Sequence, residues 1–194
     1  MKFIETKLPG CFLIEMAPVG DARGYFVRTF CAHEFTKAGL NPIIAQASYS
    51  FNAKRGTLRG LHFQNAPAME DKLVRCLRGA IFDVMADIRP GSPTFGQWVG
   101  YELSDSNHRQ LYAPQGFAHG FQALTDDCMV GYQIGQFYEA DKTAGVRFDD
   151  PDIAVAWPLP PVEQSPRDLA MPLLRDIRHE HLVAYPTPSE GSAG

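Results

Sequence analysis

A small all-β jelly-roll barrel with a few short helices is the fold this sequence predicts, on three observations. Short apolar stretches alternate with polar residues at a period of two. The 15 prolines and 17 glycines are scattered between those stretches rather than pooled in a linker. Helical patterning is confined to two short segments. Strand–helix alternation of the kind a parallel sheet requires is missing, as is a Gly-rich phosphate loop, and no internal period marks a solenoid or propeller. Many short strands closed into one barrel satisfy the pattern.

The elements follow in chain order. Residues 33–39 read as a short helix stopped by Gly39. Strands are expected over residues 56–64, 72–77, 80–88, 97–103, 117–124 and 128–134. The Arg78-Gly79 pair between two of them reads as a tight hairpin. Residues 113–116, Ala-Pro-Gln-Gly, have the composition of a sharp reversal ahead of a strand. A further helical turn is expected within residues 166–174, interrupted by Pro172. Residues 184–194 (AYPTPSEGSAG) are Pro, Ser and Gly rich, so a disordered tail is expected there, leaving 1–183 as one domain.

Composition narrows the function. Lys plus Arg number 18 against 22 for Asp plus Glu, a formal charge of −4. A domain that binds nucleic acid by neutralising phosphates is usually basic, so that class is set aside. No apolar run approaches the length of a membrane span, and the first residues lack a signal peptide's apolar core. A cytoplasmic location is expected. Cys11, Cys31, Cys76 and Cys128 are widely spaced, without the pairing of a zinc site, and read as buried thiols.

Chemistry-bearing residues cluster on the expected strands. On residues 56–64, His62 and Gln64 share a face opposite Leu61 and Phe63. A histidine there could simply satisfy a backbone carbonyl at the core edge. Arg59 has the opposite parity, so it joins His62 in one cavity only if Gly60 supplies a bulge or a twist. On the strand at 72–77, Lys72 shares parity with Val74 and Cys76, facing inward or snorkelling out. On the last strand Tyr132 shares a face with Cys128, Val130 and Ile134, where a hydroxyl usually fills space and finds a partner.

The run Pro114-x-Gly116-x-x-His119 is similar to the second motif of the cupin superfamily, whose fold is a small jelly-roll barrel. Metal-binding cupins carry a His-x-His pair and a Glu in their first motif. Here only His62 and His119 can be assembled, short of the three protein ligands a divalent site generally needs. No metal is expected.

Taken together, Asp21-x-Arg23-Gly24-x-Phe26, Arg59-Gly60-Leu61-His62-Phe63-Gln64, Lys72, Arg78-Gly79-Ala80-Ile81-Phe82-Asp83-Val84, Asp87-Ile88-Arg89, Gly91-Ser92-Pro93-Thr94-Phe95-Gly96, Phe117-Ala118-His119-Gly120-Phe121 and Asp150-Pro151 to Trp157-Pro158 occur in an order and spacing that resembles the dTDP-4-dehydrorhamnose 3,5-epimerase family, over about residues 3–175. The resemblance implies a cupin-type jelly roll and an epimerase, with no metal and no redox cofactor, acting at C3, C5 or both of a nucleoside-diphosphate 4-keto-6-deoxyhexose. It implies His62 as the base with Asp168 as its partner, Lys72 facing the enolate oxygen, and Tyr132 as the acid on the opposite face. Arg59 would meet the diphosphate. Gln46, His119 and Tyr138 match binding positions, and Arg23 and Phe26 match a nucleotide-contacting pair lent by a neighbouring subunit. A homodimer with exchanged N-terminal strands follows from the same pattern. The chain departs from the family at two positions near the nucleotide, with Arg28 in place of Glu and Ser48 in place of Asn. Because arginine only donates hydrogen bonds, Arg28 could favour a CDP or GDP sugar, or pair locally with Asp21 or Glu34. The competing expectations are an epimerase of C3 or C5 alone and a non-catalytic sugar-binding cupin.

Overall fold

The computed structural model describes residues 1–186. Its strands are β1 (Lys2–Glu5), β2 (Phe12–Glu15), β3 (Val19–Asp21), β4 (Gly24–Phe26), β5 (Gln46–Asn52), β6 (Leu58–Gln64), β7 (Lys72–Arg78), β8 (Ala80–Asp87), β9 (Trp98–Ser104), β10 (Arg109–Ala113), β11 (Phe117–Ala123), β12 (Cys128–Ile134) and β13 (Thr143–Gly145). Two short helices, α1 (Ala32–Lys37) and α2 (Pro166–Leu169), complete the regular elements with two 3₁₀ turns. A six-stranded sheet runs β1-β2-β10-β7-β12-β5 and a five-stranded sheet β13-β6-β11-β8-β9, while β3 and β4 form a separate two-stranded arm. Each pairing among these strands is antiparallel. The expected all-β jelly roll is the fold observed.

The period-2 pattern explains the layers. On β8, Ile81 and Met85 enter the core between the two sheets, with Val74, Leu111, Phe117, Phe121 and Val130. Val84 and Ala86 point the other way, into a second cluster that the C-terminal segment covers with Ile153, Leu174 and Leu182. Outside the six-stranded sheet, Phe35 of α1 packs on Ile14, Leu73 and Tyr112. Gly39, at φ +75°, ends this helix. The Leu40 amide donates to the Phe35 carbonyl and the Gly39 amide to that of Thr36, a Schellman arrangement.

One expectation needs correction. Arg78-Gly79 is not a hairpin: β7 pairs with β10 and β12, whereas β8 pairs with β9 and β11. Gly79, at φ +77°, instead turns the chain from one sheet to the other, which a two-residue hairpin signal cannot be told from by sequence. Within residues 184–194, where a disordered tail is expected, Tyr185 is tied to residues 89 and 90. The Tyr185 amide donates to the Pro90 carbonyl at 2.9 Å, and the Arg89 guanidinium lies over its ring. Residues 187–194 lie outside the described residues.

All four cysteines are free thiols; three are buried and Cys31, at the start of α1, is half-buried. No helix among the described residues is long and apolar enough to cross a membrane.

Candidate active site

The site is built where β6 and β11 meet. His62 and His119 are direct register partners across these strands, and Arg59 partners Phe121. Two residues separate the two positions on β6, but only one separates them on β11, so β6 carries the bulge that Arg59 and His62 require. Gly60 makes it possible. Its φ is +118°, and a Cβ there would lie 2.5 Å from the Gly120 Cα and 2.7 Å from the His119 carbonyl oxygen. With the bulge, Arg59 and His62 line one cavity of about 290 Å³.

His62 Nε2 lies 2.7 Å from Asp168 Oδ1. The alternative of a backbone carbonyl partner for this histidine is therefore replaced by a carboxylate. Asp168 sits on α2, whose start is fixed by Pro166 at the first turn and by the Ser165 hydroxyl accepting from the Asp168 amide at 3.0 Å. The Gly60 amide also donates to Asp168 Oδ2, at 3.3 Å. Burial works against ionising Asp168, but the hydrogen bond and charge of His62, with the Gly60 amide, hold its carboxyl below the ordinary carboxylate range. With Nε2–H donated to that carboxylate, Nδ1 is left as the basic atom of the ring.

The opposite wall comes from the other sheet. Tyr132 of β12 pairs its hydroxyl with Ser50 Oγ at 2.9 Å. Burial pushes this phenol well above its ordinary range, with the Ser50 contact opposing, so the hydroxyl keeps its proton at neutral pH. Lys72, at the start of β7, is turned inward rather than snorkelling. Its Nζ donates to the His62 carbonyl at 3.2 Å and lies 2.8 Å from Glu70 Oε1. His119 forms a second histidine–carboxylate pair, Nε2 to Asp83 Oδ1 at 2.7 Å, with both side chains buried. Burial raises the Asp83 carboxyl, and the charges of His119 and Lys72 pull it back.

Of the residues expected at the site, Arg59, His62, Lys72, His119, Tyr132 and Tyr138 line the cavity together. Asp168 stands behind His62, and Gln46 reaches the rim by accepting from the Tyr138 amide at 2.6 Å. Four expected residues lie elsewhere in the single chain. Ser48 sits on an exposed stretch of β5. Arg23 and Phe26 occupy the exposed β3–β4 arm, where Arg23 grips Asp21 through Nε and Nη2. Arg28 pairs with Glu34 at 3.4 Å, the local partnership that competes with reading a nucleobase. Sequence reasoning missed Glu70, Asp83, Ser50 and Arg167. Asp83 shares inward parity with Ile81 and Met85 on β8, a legible signal; Glu70 precedes its strand and carries none. Among the described residues no group of three or more His, Cys, Asp or Glu side chains converges as a metal site.

Against known proteins, the dTDP-4-dehydrorhamnose 3,5-epimerase profile matches residues 5–176. A 3,5-epimerase of Methanothermobacter thermautotrophicus is 46% identical over 84% of this chain and 86% of its own length. The crystal structure of a dTDP-6-deoxy-D-glucose-3,5-epimerase from Legionella pneumophila, in complex with dTDP-4-keto-L-rhamnose, superposes with a TM-score of 0.91. The identity there is 39%, over 96% of this chain and 99% of that one. A dTDP-4-dehydrorhamnose 3-epimerase of Streptomyces niveus is 38% identical over 100% of this chain and 98% of its own.

Proposed function

Because the chain belongs to the dTDP-4-dehydrorhamnose 3,5-epimerase family, we propose that this cavity takes a dTDP-linked 4-keto-6-deoxyhexose and inverts the carbons flanking its ketone. The observation that carries the mechanism is the placing of base and acid. His62, backed by Asp168 of α2, stands on the five-stranded sheet and Tyr132 on the facing six-stranded sheet, across one cavity.

His62 Nδ1 takes the proton from C3 or C5, and the C–H electron pair moves through the new C–C double bond onto the C4 oxygen. Lys72 Nζ meets that oxygen, where a fixed cation stabilises the charge as it develops. Tyr132 gives its hydroxyl proton to the opposite face of the same carbon, which inverts it. The imidazolium then loses its proton to solvent and the phenolate regains one. Asp168 fixes the tautomer of His62 and stabilises the cation formed by proton abstraction, the logic of the carboxylate in a catalytic triad. Arg59, with no carboxylate within ion-pair distance among the described residues, faces the diphosphate.

The β3–β4 arm supplies the rest. Val19 and Phe26 are each 73% exposed and Tyr25 60%, an apolar arm too bare to stand alone in water. Docked on a second copy, it would carry Arg23 and Phe26 to the neighbour's nucleotide, giving a homodimer with exchanged arms. The 3-epimerase from Streptomyces niveus keeps a second reading in view, inversion at C3 alone. Tyr132→Phe tests the two-face mechanism. It should still exchange the substrate's proton with solvent through His62 while inverting at least tenfold more slowly; normal inversion would move the acid role to Tyr138 or water.

A further inference from the structure

The cavity is polar in an uneven way. Arg59 and Arg167 both line it, and neither has a carboxylate within ion-pair distance among the described residues. Arg59 is held only by neutral acceptors, its Nε donating to Asn52 Oδ1 at 2.7 Å. Lys72 differs. Its ammonium lies 2.8 Å from Glu70 Oε1, and both side chains are nearly buried, at 11% and 10% exposure. The cavity therefore holds two uncompensated guanidinium groups and one ammonium already matched by an anion.

We propose that Glu70 is a positioning residue that tethers Lys72 as the hydrogen-bond partner of the sugar's C4 oxygen and turns the substrate's diphosphate away from that end of the cavity. This rests on the epimerase reading of the same site. A lysine carries its charge on a flexible four-carbon stem, so an untethered ammonium follows the strongest anion within reach. In this cavity that anion is the incoming diphosphate. Glu70 on one side and the His62 carbonyl, 3.2 Å away, on the other fix Nζ beside the base. The ammonium has three N–H groups, so with these two partners one donor remains for a ligand oxygen. A ketone oxygen is neutral on arrival and gains charge only as the enolate forms. Pairing Lys72 with Glu70 weakens its pull on a phosphate in the ground state while leaving it in place for the oxyanion. Arg59 and Arg167, unmatched, are then the preferred seat of the phosphates. A carboxylate facing the cavity also repels a misplaced diphosphate, which sets the direction in which the substrate lies.

Glu70→Gln removes the charge and keeps the shape. Two quantities are measured on the full chain: solvent-deuterium exchange into dTDP-4-keto-6-deoxyglucose at saturation, and dTDP affinity by calorimetry. The expected result is a fall in the saturated exchange rate of threefold or more with dTDP binding unchanged or tighter, since Lys72 is freed toward phosphate. Retained dTDP binding shows that the cavity is folded. A rate within threefold of wild type would overturn the proposal, as would weakened dTDP binding, which marks a merely structural role. Wild-type protein that exchanges no deuterium would instead refute the epimerase reading, so the two failures are separable.

Discussion

His62 gives one ring nitrogen to Asp168 at 2.7 Å, and that contact assigns the other as base. Period-2 parity grouped His62 with Gln64 and Tyr132 with Cys128, Val130 and Ile134, but nothing local joined Asp168 to His62 across 106 residues. That pairing was legible only through the family resemblance, because α2 is a four-residue helix whose position is set by tertiary packing. Away from the cavity, Asp87 repays the same attention. Its carboxylate accepts from Arg89 Nε and Nη2 and from the Ser92 and Thr94 hydroxyls, all at 2.6–2.9 Å. Burial opposes its ionisation, but these donors outweigh it and hold the carboxyl below the ordinary value. A depressed folded pKa stabilises the fold above the unfolded value of 3.8 and loses that contribution as pH falls through the folded one. Asp87→Asn should therefore cost about 3–5 kcal/mol at pH 7, the range for breaking a buried pair. Urea melts should show that deficit shrinking below pH 3.8; a loss under about 1 kcal/mol at pH 7 would mean the cluster contributes little.

The bulge in β6 decides whether the site exists. Without the extra residue, Arg59 would point away from the cavity that His62 faces. Gly60→Ala should destabilise the fold by about 1–3 kcal/mol through overpacking against β11. It should also lower exchange activity more than the melting shift explains, because the two strands must separate just where both histidines are anchored. Unchanged melting and activity would contradict that role for Gly60. The six long strands were legible because their apolar residues alternate over seven or eight positions. The missed ones have physical reasons. β1, β2, β3, β4, β10 and β13 are three to five residues long. On β5 the pattern is inverted, with Gln46, Ser48, Ser50 and Asn52 on one face and Tyr49 and Phe51 exposed on the other. A strand that is polar on one face and bares aromatic rings on the other does not read as half-buried. The connection at Gly79 was misread because one glycine serves equally a turn within a sheet and a crossing between sheets.

At the scale of the whole molecule, each site is proposed to need two copies of the chain, and this can be tested by mixing inactive variants. In a mixed dimer of His62→Asn with Arg23→Ala, one site combines both defects and the other combines an intact His62 with an intact partner arm. Mixing should therefore restore activity to about half that of wild type per mixed dimer. No recovery, with mixed dimers shown by native mass spectrometry, would place Arg23 in its own chain's site or outside any site. The central claim is that His62, on one face of the sugar, removes a proton next to the ketone. The most direct measurement is NMR of dTDP-4-keto-6-deoxyglucose incubated with the protein in D2O. Wild type should place deuterium at C3, C5 or both with inversion, and His62→Asn should slow that exchange by about 10²- to 10⁴-fold, the usual cost of removing a general base. Exchange in His62→Asn within tenfold of wild type would contradict the account.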